Sequence, residues 1–242
     1  TTALQAAIKA LELKTGEIIT TSFTWIATVS AIKAEGFKPV FCDIDQETFN
    51  IDVSKIETLI TNNTVAIMPV HVFGSPCDVE SIDKIAKKHN IKVIYDAAHA
   101  IGSTFGEESV LNYGHVSVAS LHATKLINTA EGGGCIVNDD KLLEKLKSIR
   151  FFGYNKQKTD VVRDGINGKI SEIQSALGLL NLKYINQILS DRKRKYKLYY
   201  AGLRSVESLK FQKHEFGSTN YSYFPVVFHD ESNTLHDDTG AL

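Results

Sequence analysis

The chain has 242 residues, and 27 Lys+Arg against 28 Asp+Glu leave a net charge of −1. That balance lacks the basic excess of a nucleic-acid binder or of a protein that docks on anionic lipid, so neither partner is expected. Hydrophobic residues make up 43%, an ordinary share for a globular protein, which excludes intrinsic disorder and a fibrous fold.

Apolar runs of strand length alternate with amphipathic stretches of helix length from residue 1 to about residue 150. This alternation predicts an α/β fold of βαβ units around a mostly parallel sheet. The first helix is expected from Thr1 to about Leu13, with Leu4, Ile8 and Leu11 on one face and Gly16 just beyond its end. A strand over Glu17–Thr20 follows, then a helix capped by Thr24 that runs to Ala34, and a strand over Lys38–Ile44. Asp52 is expected to cap a helix over Val53–Ile60. Val65–Phe73 reads as a strand, Asp78–His89 as a helix, and Ile91–Tyr95 as a strand that stops at Asp96. Val116–Ser120 and Gly134–Asn138 are strand-like, and Asp139 caps a helix over Asp140–Arg150. The segment Gly153–Gly168 is polar, basic and glycine-rich, which predicts an irregular connection of the kind that usually carries function. From Ser171 helical periodicity returns and is expected to continue as one long helix to about Leu203, and Tyr221–Phe228 alternates as a strand.

The apolar runs, Val65–Phe73 among the longest, fall far short of the ~20 residues that a membrane-spanning helix needs. Cys42, Cys77 and Cys135 lie far apart and form no CxxC pair, which fits a reducing cytoplasm and no metal site. Neither a P-loop nor an HExxH motif occurs, and Gly132–Gly134 opens no helix and so is not a dinucleotide fingerprint.

Chemistry concentrates between Ile91 and Gly134. Asp96 stands at the carboxyl end of a strand, where ligands of open α/β sheets bind, and it is either a ligand-binding carboxylate or the cap of the next turn. Lys125 follows the Val116–Ser120 strand and precedes the return Glu131-Gly132-Gly133-Gly134. An amine held against buried sheet has a lowered pKa suited to Schiff-base chemistry; the other reading is a solvated loop lysine.

Leu121-His122-Ala123-Thr124-Lys125 with Glu131-Gly132-Gly133, Asp96-Ala97-Ala98-His99-Ala100, and Ser22-Phe23-Thr24-Trp25 occur in an order that resembles the DegT/StrS-type sugar-nucleotide aminotransferases over nearly the whole chain. The resemblance implies a pyridoxal-phosphate enzyme of the aspartate-aminotransferase fold (fold type I). Its architecture is a three-layer, mostly parallel sheet between helices. A large cofactor domain would take residues 1–185. Residues 186–242 would form a linking helix and the beginning of a smaller C-terminal α/β domain.

Carried onto this sequence, Lys125 matches the lysine that binds the cofactor covalently and moves the substrate proton. Asp96 matches the carboxylate paired with the pyridine nitrogen, which keeps the ring an electron sink. His99 matches a residue against the ring or its phenolic oxygen, and Trp25 an aromatic stacked on the ring face. Thr1 and Thr2 match the end of an Asn-Gly-Thr phosphate-binding segment at a helix N-terminus, Ser120 a phosphate-binding serine, and Asn155 an asparagine that reaches the phosphate across a dimer interface. His122, beside the lysine, is either a substrate contact or a satisfied loop histidine. The family chain is longer at both ends, and this one starts inside the phosphate motif without its asparagine and glycine.

The implied reaction moves an amino group from glutamate to a nucleoside-diphosphate keto-sugar. A dTDP-linked 4-keto-6-deoxy sugar destined for O-antigen or a similar glycan is expected, with a cytoplasmic homodimer sharing its active sites. The rivals are a sugar dehydratase of the same family, in which histidine replaces the lysine, and a non-catalytic regulatory domain on the same fold. Lys156, Lys158, Arg163 and Lys169 are expected to supply positive potential for the phosphates.

Overall fold

The structure is a computed structural model and describes residues 1–228; the expected tail beyond, and with it part of the 186–242 segment, lies outside the described residues. Helix α1 (Thr2–Ala10) leads into β1 (Glu17–Thr21), α2 (Ile26–Ala34) and β2 (Lys38–Cys42). Next come α3 (Val53–Leu59), β3 (Thr64–Ile67), α4 (Val79–His89) and β4 (Lys92–Asp96). A short hairpin, β5 (Thr104–Phe105) and β6 (Glu108–Ser109), precedes β7 (Val116–Ser120) and β8 (Gly133–Ile136). The chain continues through α5 (Asp140–Arg150), α6 (Glu172–Lys183), α7 (Ile185–Leu203), β9 (Leu209–Phe211) and β10 (Val226–Phe228).

The central six-stranded sheet has the order β2-β1-β3-β4-β7-β8. Every neighbouring pair is parallel except β7–β8, which is antiparallel. The two faces follow from strand alternation. Ile18, Ala66 and Ile94 pack with Ala7 and Ile8 of α1, Ile32 of α2 and Leu146 of α5. Their neighbours Ile19, Ile67, Val93 and Tyr95 point the opposite way, onto Ile56 of α3 and Ile82 of α4. The strands are apolar on both faces because helices cover both, which gives the three-layer α/β fold.

Asp52 and Asp139, read as helix caps, act as such, and Asp78, expected as the first residue of its helix, is a cap as well. Asp52, Asp78 and Asp139 accept hydrogen bonds from the backbone N–H of Ser54, Ser81 and Leu142. Ser171 and Gln174 close a full capping box at α6.

Four expectations need correction. The run Val65–Phe73 is a strand only to Ile67; beyond it Pro69 offers no N–H to a ladder, and Phe73 turns into the left-handed region at φ 55. Helix α2 is capped by Trp25, without a side-chain bond, and not by Thr24, whose hydroxyl is used elsewhere. The expected single helix after Ser171 breaks at Tyr184 (φ −105, ψ 10) into α6 and α7. Of Tyr221–Phe228 only Val226–Phe228 is strand, since Tyr221 adopts φ 57 and interrupts the extension.

Candidate active site

The carboxyl ends of the adjacent parallel strands β4 and β7 define the site. Asp96 is the last residue of β4, paired with Val118, and Ser120 ends β7 two residues further on. Asp96 is 5% exposed. Its Oδ2 accepts a hydrogen bond from Thr28 Oγ1 at 2.7 Å, and its Oδ1 accepts the backbone N–H of Ala98 at 3.1 Å. Burial raises its carboxyl above the usual range, while the bonds from Thr28 and Ala98 and the charge of Lys125 oppose that shift. A carboxylate this enclosed does more than cap a turn.

After β7 the chain makes a tight excursion through Lys125 and returns as β8. Leu121 N–H donates to Gly132 O, and Thr129 N–H to Leu121 O. A Cβ at Gly132 would collide with Thr129 Oγ1, so the return needs glycine there. Lys125 is half-buried in this excursion. Burial lowers its ammonium below the ordinary value, and Asp96 pulls the other way. Desolvation therefore makes this amine easier to deprotonate than a solvated lysine, beside a buried carboxylate.

His99 lies over the same pocket. Its ring is parallel to Phe73 at 6.1 Å and tilted against Tyr223 at 4.7 Å. Burial, aided by the charge of Lys125, pushes its pKa down to about 4, so it is neutral at physiological pH. Trp25 is 78% exposed, so it is not a core aromatic, and it stands at the N-cap of α2, three residues before Thr28. Thr1 caps α1 without a side-chain bond, and Thr2 opens that helix. The start of α1 lies against the return strand: the Cβ position of Gly133, the partner of Ser120, is 3.4 Å from Ala3. The first turn of α1 thus packs on the strand that pairs with Ser120.

His122 is exposed. Its Nδ1 takes the Thr124 backbone N–H at 3.2 Å, and its Nε2 stands 3.6 Å from Glu131 Oε1, so it fastens the lysine excursion. Asn155 lies apart from the pocket. It is half-buried, and its side chain bonds Thr159 and Asp160 within its own loop. Three of the four cations expected to supply positive potential there, Lys158, Arg163 and Lys169, have partners elsewhere in the chain. Arg163 pairs with Glu12, while Lys158 and Lys169 lie over the rings of Phe151 and Phe152.

Reading the sequence missed two sets of residues. Thr28 contacts Asp96 from 68 positions away, and only the three-residue spacing from Trp25 on a helix hinted at it. Asn220, Ser222 and Tyr223 line the pocket with Ser120 and Lys125. Asn220 Nδ2 donates to the carbonyls of His99 and Ile101 at 2.6 and 2.8 Å, anchoring a segment that the sequence presented as plain strand. Ser222 Oγ is buried there without a hydrogen-bond partner among the described residues.

Among the described residues no cluster of His, Cys, Asp or Glu could hold a metal ion, and no helix is long and apolar enough to cross a membrane. A dTDP-4-amino-4,6-dideoxy-D-glucose transaminase of Shigella dysenteriae is 42% identical over 243 residues, spanning 98% of this chain. The match takes in only 65% of that transaminase's own length. DesI, solved in the presence of its TDP-sugar product, superposes with a TM-score of 0.89 at 32% identity, over 96% of this chain and 58% of DesI. PseC of Helicobacter pylori, an aminotransferase of pseudoaminic acid biosynthesis, gives 0.87 at 32% identity over 94% of this chain and 64% of its own. The sequence profile of one family matches residues 1–239. The chain belongs to the DegT/DnrJ/EryC1/StrS aminotransferase family.

Proposed function

We propose that this chain carries the cofactor site of a pyridoxal-phosphate transaminase that moves an amino group from glutamate to a nucleoside-diphosphate keto-sugar. The observation that carries the reading is a buried, doubly hydrogen-bonded Asp96 beside a half-buried Lys125, both delivered by neighbouring parallel strands. The donor set fits the cofactor: a carboxylate for a ring nitrogen, an amine for an aldehyde, and a hydroxyl and a helix N-terminus for a phosphate. When bound, pyridoxal phosphate supplies the aldehyde that receives the amino group and a ring that accepts the electrons of a cleaved C–H bond.

The chain's residues divide the remaining work. Asp96 would hold the ring nitrogen protonated, and Trp25 would cover a ring face. His99, held neutral by burial, stands beside the ring without adding charge. Ser120, Thr1 and Thr2 take the phosphate. Lys125 would hold the aldehyde through its Nζ, and its amine would serve as the proton carrier of the site. His122, exposed and three residues before Lys125, is the candidate substrate contact.

The acceptor we assign is a dTDP-linked 4-keto-6-deoxy sugar, in keeping with the similarity to a dTDP-sugar transaminase and to DesI. The expected setting is cytoplasmic synthesis of an O-antigen or related glycan; the three cysteines, all free, accord with a reducing compartment. The role assigned to Asn155, which does not line the pocket of its own protomer, calls for a homodimer. Helix α6 also leaves Ile173, Leu179 and Leu180 exposed, an apolar surface that a second copy would cover. Residues 1–185 are the large domain in this reading, with β9 and β10 opening the smaller one.

The experiment is to load the protein with pyridoxal phosphate, add glutamate, and follow the absorbance of the lysine-bound cofactor, then add the dTDP-keto-sugar. A transaminase loses that absorbance with glutamate and regains it with the sugar. No change with glutamate contradicts the proposal and leaves a regulatory domain; Lys125, where the dehydratases have histidine, already argues against that rival.

A further inference from the structure

Thr28 is completely buried, although it lies on the first turns of α2, where alanine would favour the helix and valine would pack equally well. Its hydroxyl makes two contacts of 2.7 Å, one to Asp96 Oδ2 and one to Thr24 Oγ1. A hydroxyl has one proton, and a carboxylate only accepts, so the direction of the chain is fixed: Thr24 O–H donates to Thr28 Oγ1, and Thr28 O–H donates to Asp96. Thr24 is free for this because Trp25, not Thr24, stands at the cap of α2. The Ala98 N–H meanwhile holds Oδ1. Asp96 is thus gripped on both oxygens, with lone pairs left over for one more donor.

We propose that Thr28 is a positioning residue for the cofactor: the relay Thr24–Thr28–Asp96 aims the carboxylate at the pyridine nitrogen and keeps it an acceptor. The inference rests on the transaminase reading for its ligand, but its geometry stands without the sugar or the amino donor. Successive hydroxyl-to-carboxylate bonds in a dry site reinforce one another, so the loss of either threonine is felt at Asp96. It also explains why a buried β-branched polar residue is used at this point of a helix. The relay further ties Trp25 to Asp96. Both flank the cofactor ring in the proposed function, and α2 joins them through one turn.

The test compares Thr28→Val, Thr28→Ser and Thr24→Val with the wild type. The readouts are pyridoxal-phosphate affinity by absorbance titration, the spectrum of the bound cofactor, and the melting temperature without cofactor. Loss of one hydrogen bond to a charged group corresponds to roughly 10–100-fold in affinity, and that is the loss expected for Thr28→Val, together with an altered spectrum. Thr28→Ser should restore both, and Thr24→Val should show a smaller change in the same direction. Wild-type affinity and spectrum in Thr28→Val would overturn the relay, and so would a Thr28→Ser variant as impaired as Thr28→Val, which would make the methyl group the important part. Should Thr28→Val fail to fold, Thr24→Val decides the matter, because its partly exposed side chain tolerates replacement. If the wild type binds the cofactor through Lys125 but does not react with glutamate, the transaminase reading falls and the relay is still judged by its variants. A wild type that binds no cofactor overturns both.

Discussion

Two regions of the molecule treat their polar residues in opposite ways. At the carboxyl edge of the sheet, Asp96 is buried, bonded on both oxygens and set against a half-buried Lys125. In the segment 151–169, Asn155 spends its side chain on Thr159 and Asp160, and Lys158, Lys169 and Arg163 rest on Phe151, Phe152 and Glu12. Groups fixed by strands converge within one protomer because the sheet decides where their Cα atoms lie. Groups on a long connection satisfy one another locally, and they serve a site only when something outside the protomer presents it.

This contrast can be broken at several points. The largest effect is expected at the sheet edge. Asp96→Asn keeps the shape but removes the charge that a protonated ring nitrogen needs, and an uncompensated buried ion costs about 3–5 kcal/mol. Steady-state kinetics should show kcat/KM falling by roughly 10²–10³-fold, with the apo protein still folded; an unchanged value would remove Asp96 from the site. Ile94→Ala, in the fully buried middle of β4, should lower unfolding free energy by about 2–5 kcal/mol in urea melts. Less than about 1 kcal/mol would mean that the central strand is not the core it looks to be.

The irregular region makes the finer test. Asn155→Ala should weaken cofactor affinity by roughly tenfold, the low end for a hydrogen bond to a charged group. Mixing it with Lys125→Ala should restore activity, because a mixed dimer contains one site with both wild-type residues. No recovery on mixing would confine each site to its own protomer. Smallest of all is Ile173→Ala on α6, where the side chain is 85% exposed. Monomer stability should change by no more than about 0.5 kcal/mol, while sedimentation should show weaker self-association. A large loss of monomer stability would place Ile173 in a core that the described residues do not show.

Much of the large sheet could be read directly from the amino acids. Apolar strands alternating with amphipathic helices forced a parallel sheet covered on both faces, and Asp52, Asp78 and Asp139 marked helix starts because their carboxylates can accept the free N–H groups. What escaped was set by contacts distant in sequence. Nothing local to Thr28 says that its hydroxyl will meet Asp96, and nothing in Asn220–Tyr223 says that the segment folds back onto His99. The end of β3 escaped for a related reason: Val70 and Val72 are as apolar as strand residues, but the chain bends at Pro69 and Phe73 to pass beside the site. Nor could apolarity show that β8 returns antiparallel, since direction leaves no mark on a hydrophobic pattern.

The central claim is that Lys125 is the amine that takes the cofactor. Reducing the pyridoxal-phosphate-loaded protein with borohydride and mapping the modified peptide by mass spectrometry tests it most directly. A single adduct on Lys125, lost in Lys125→Ala, is the predicted result. An adduct on another lysine, or none at all, would contradict the account.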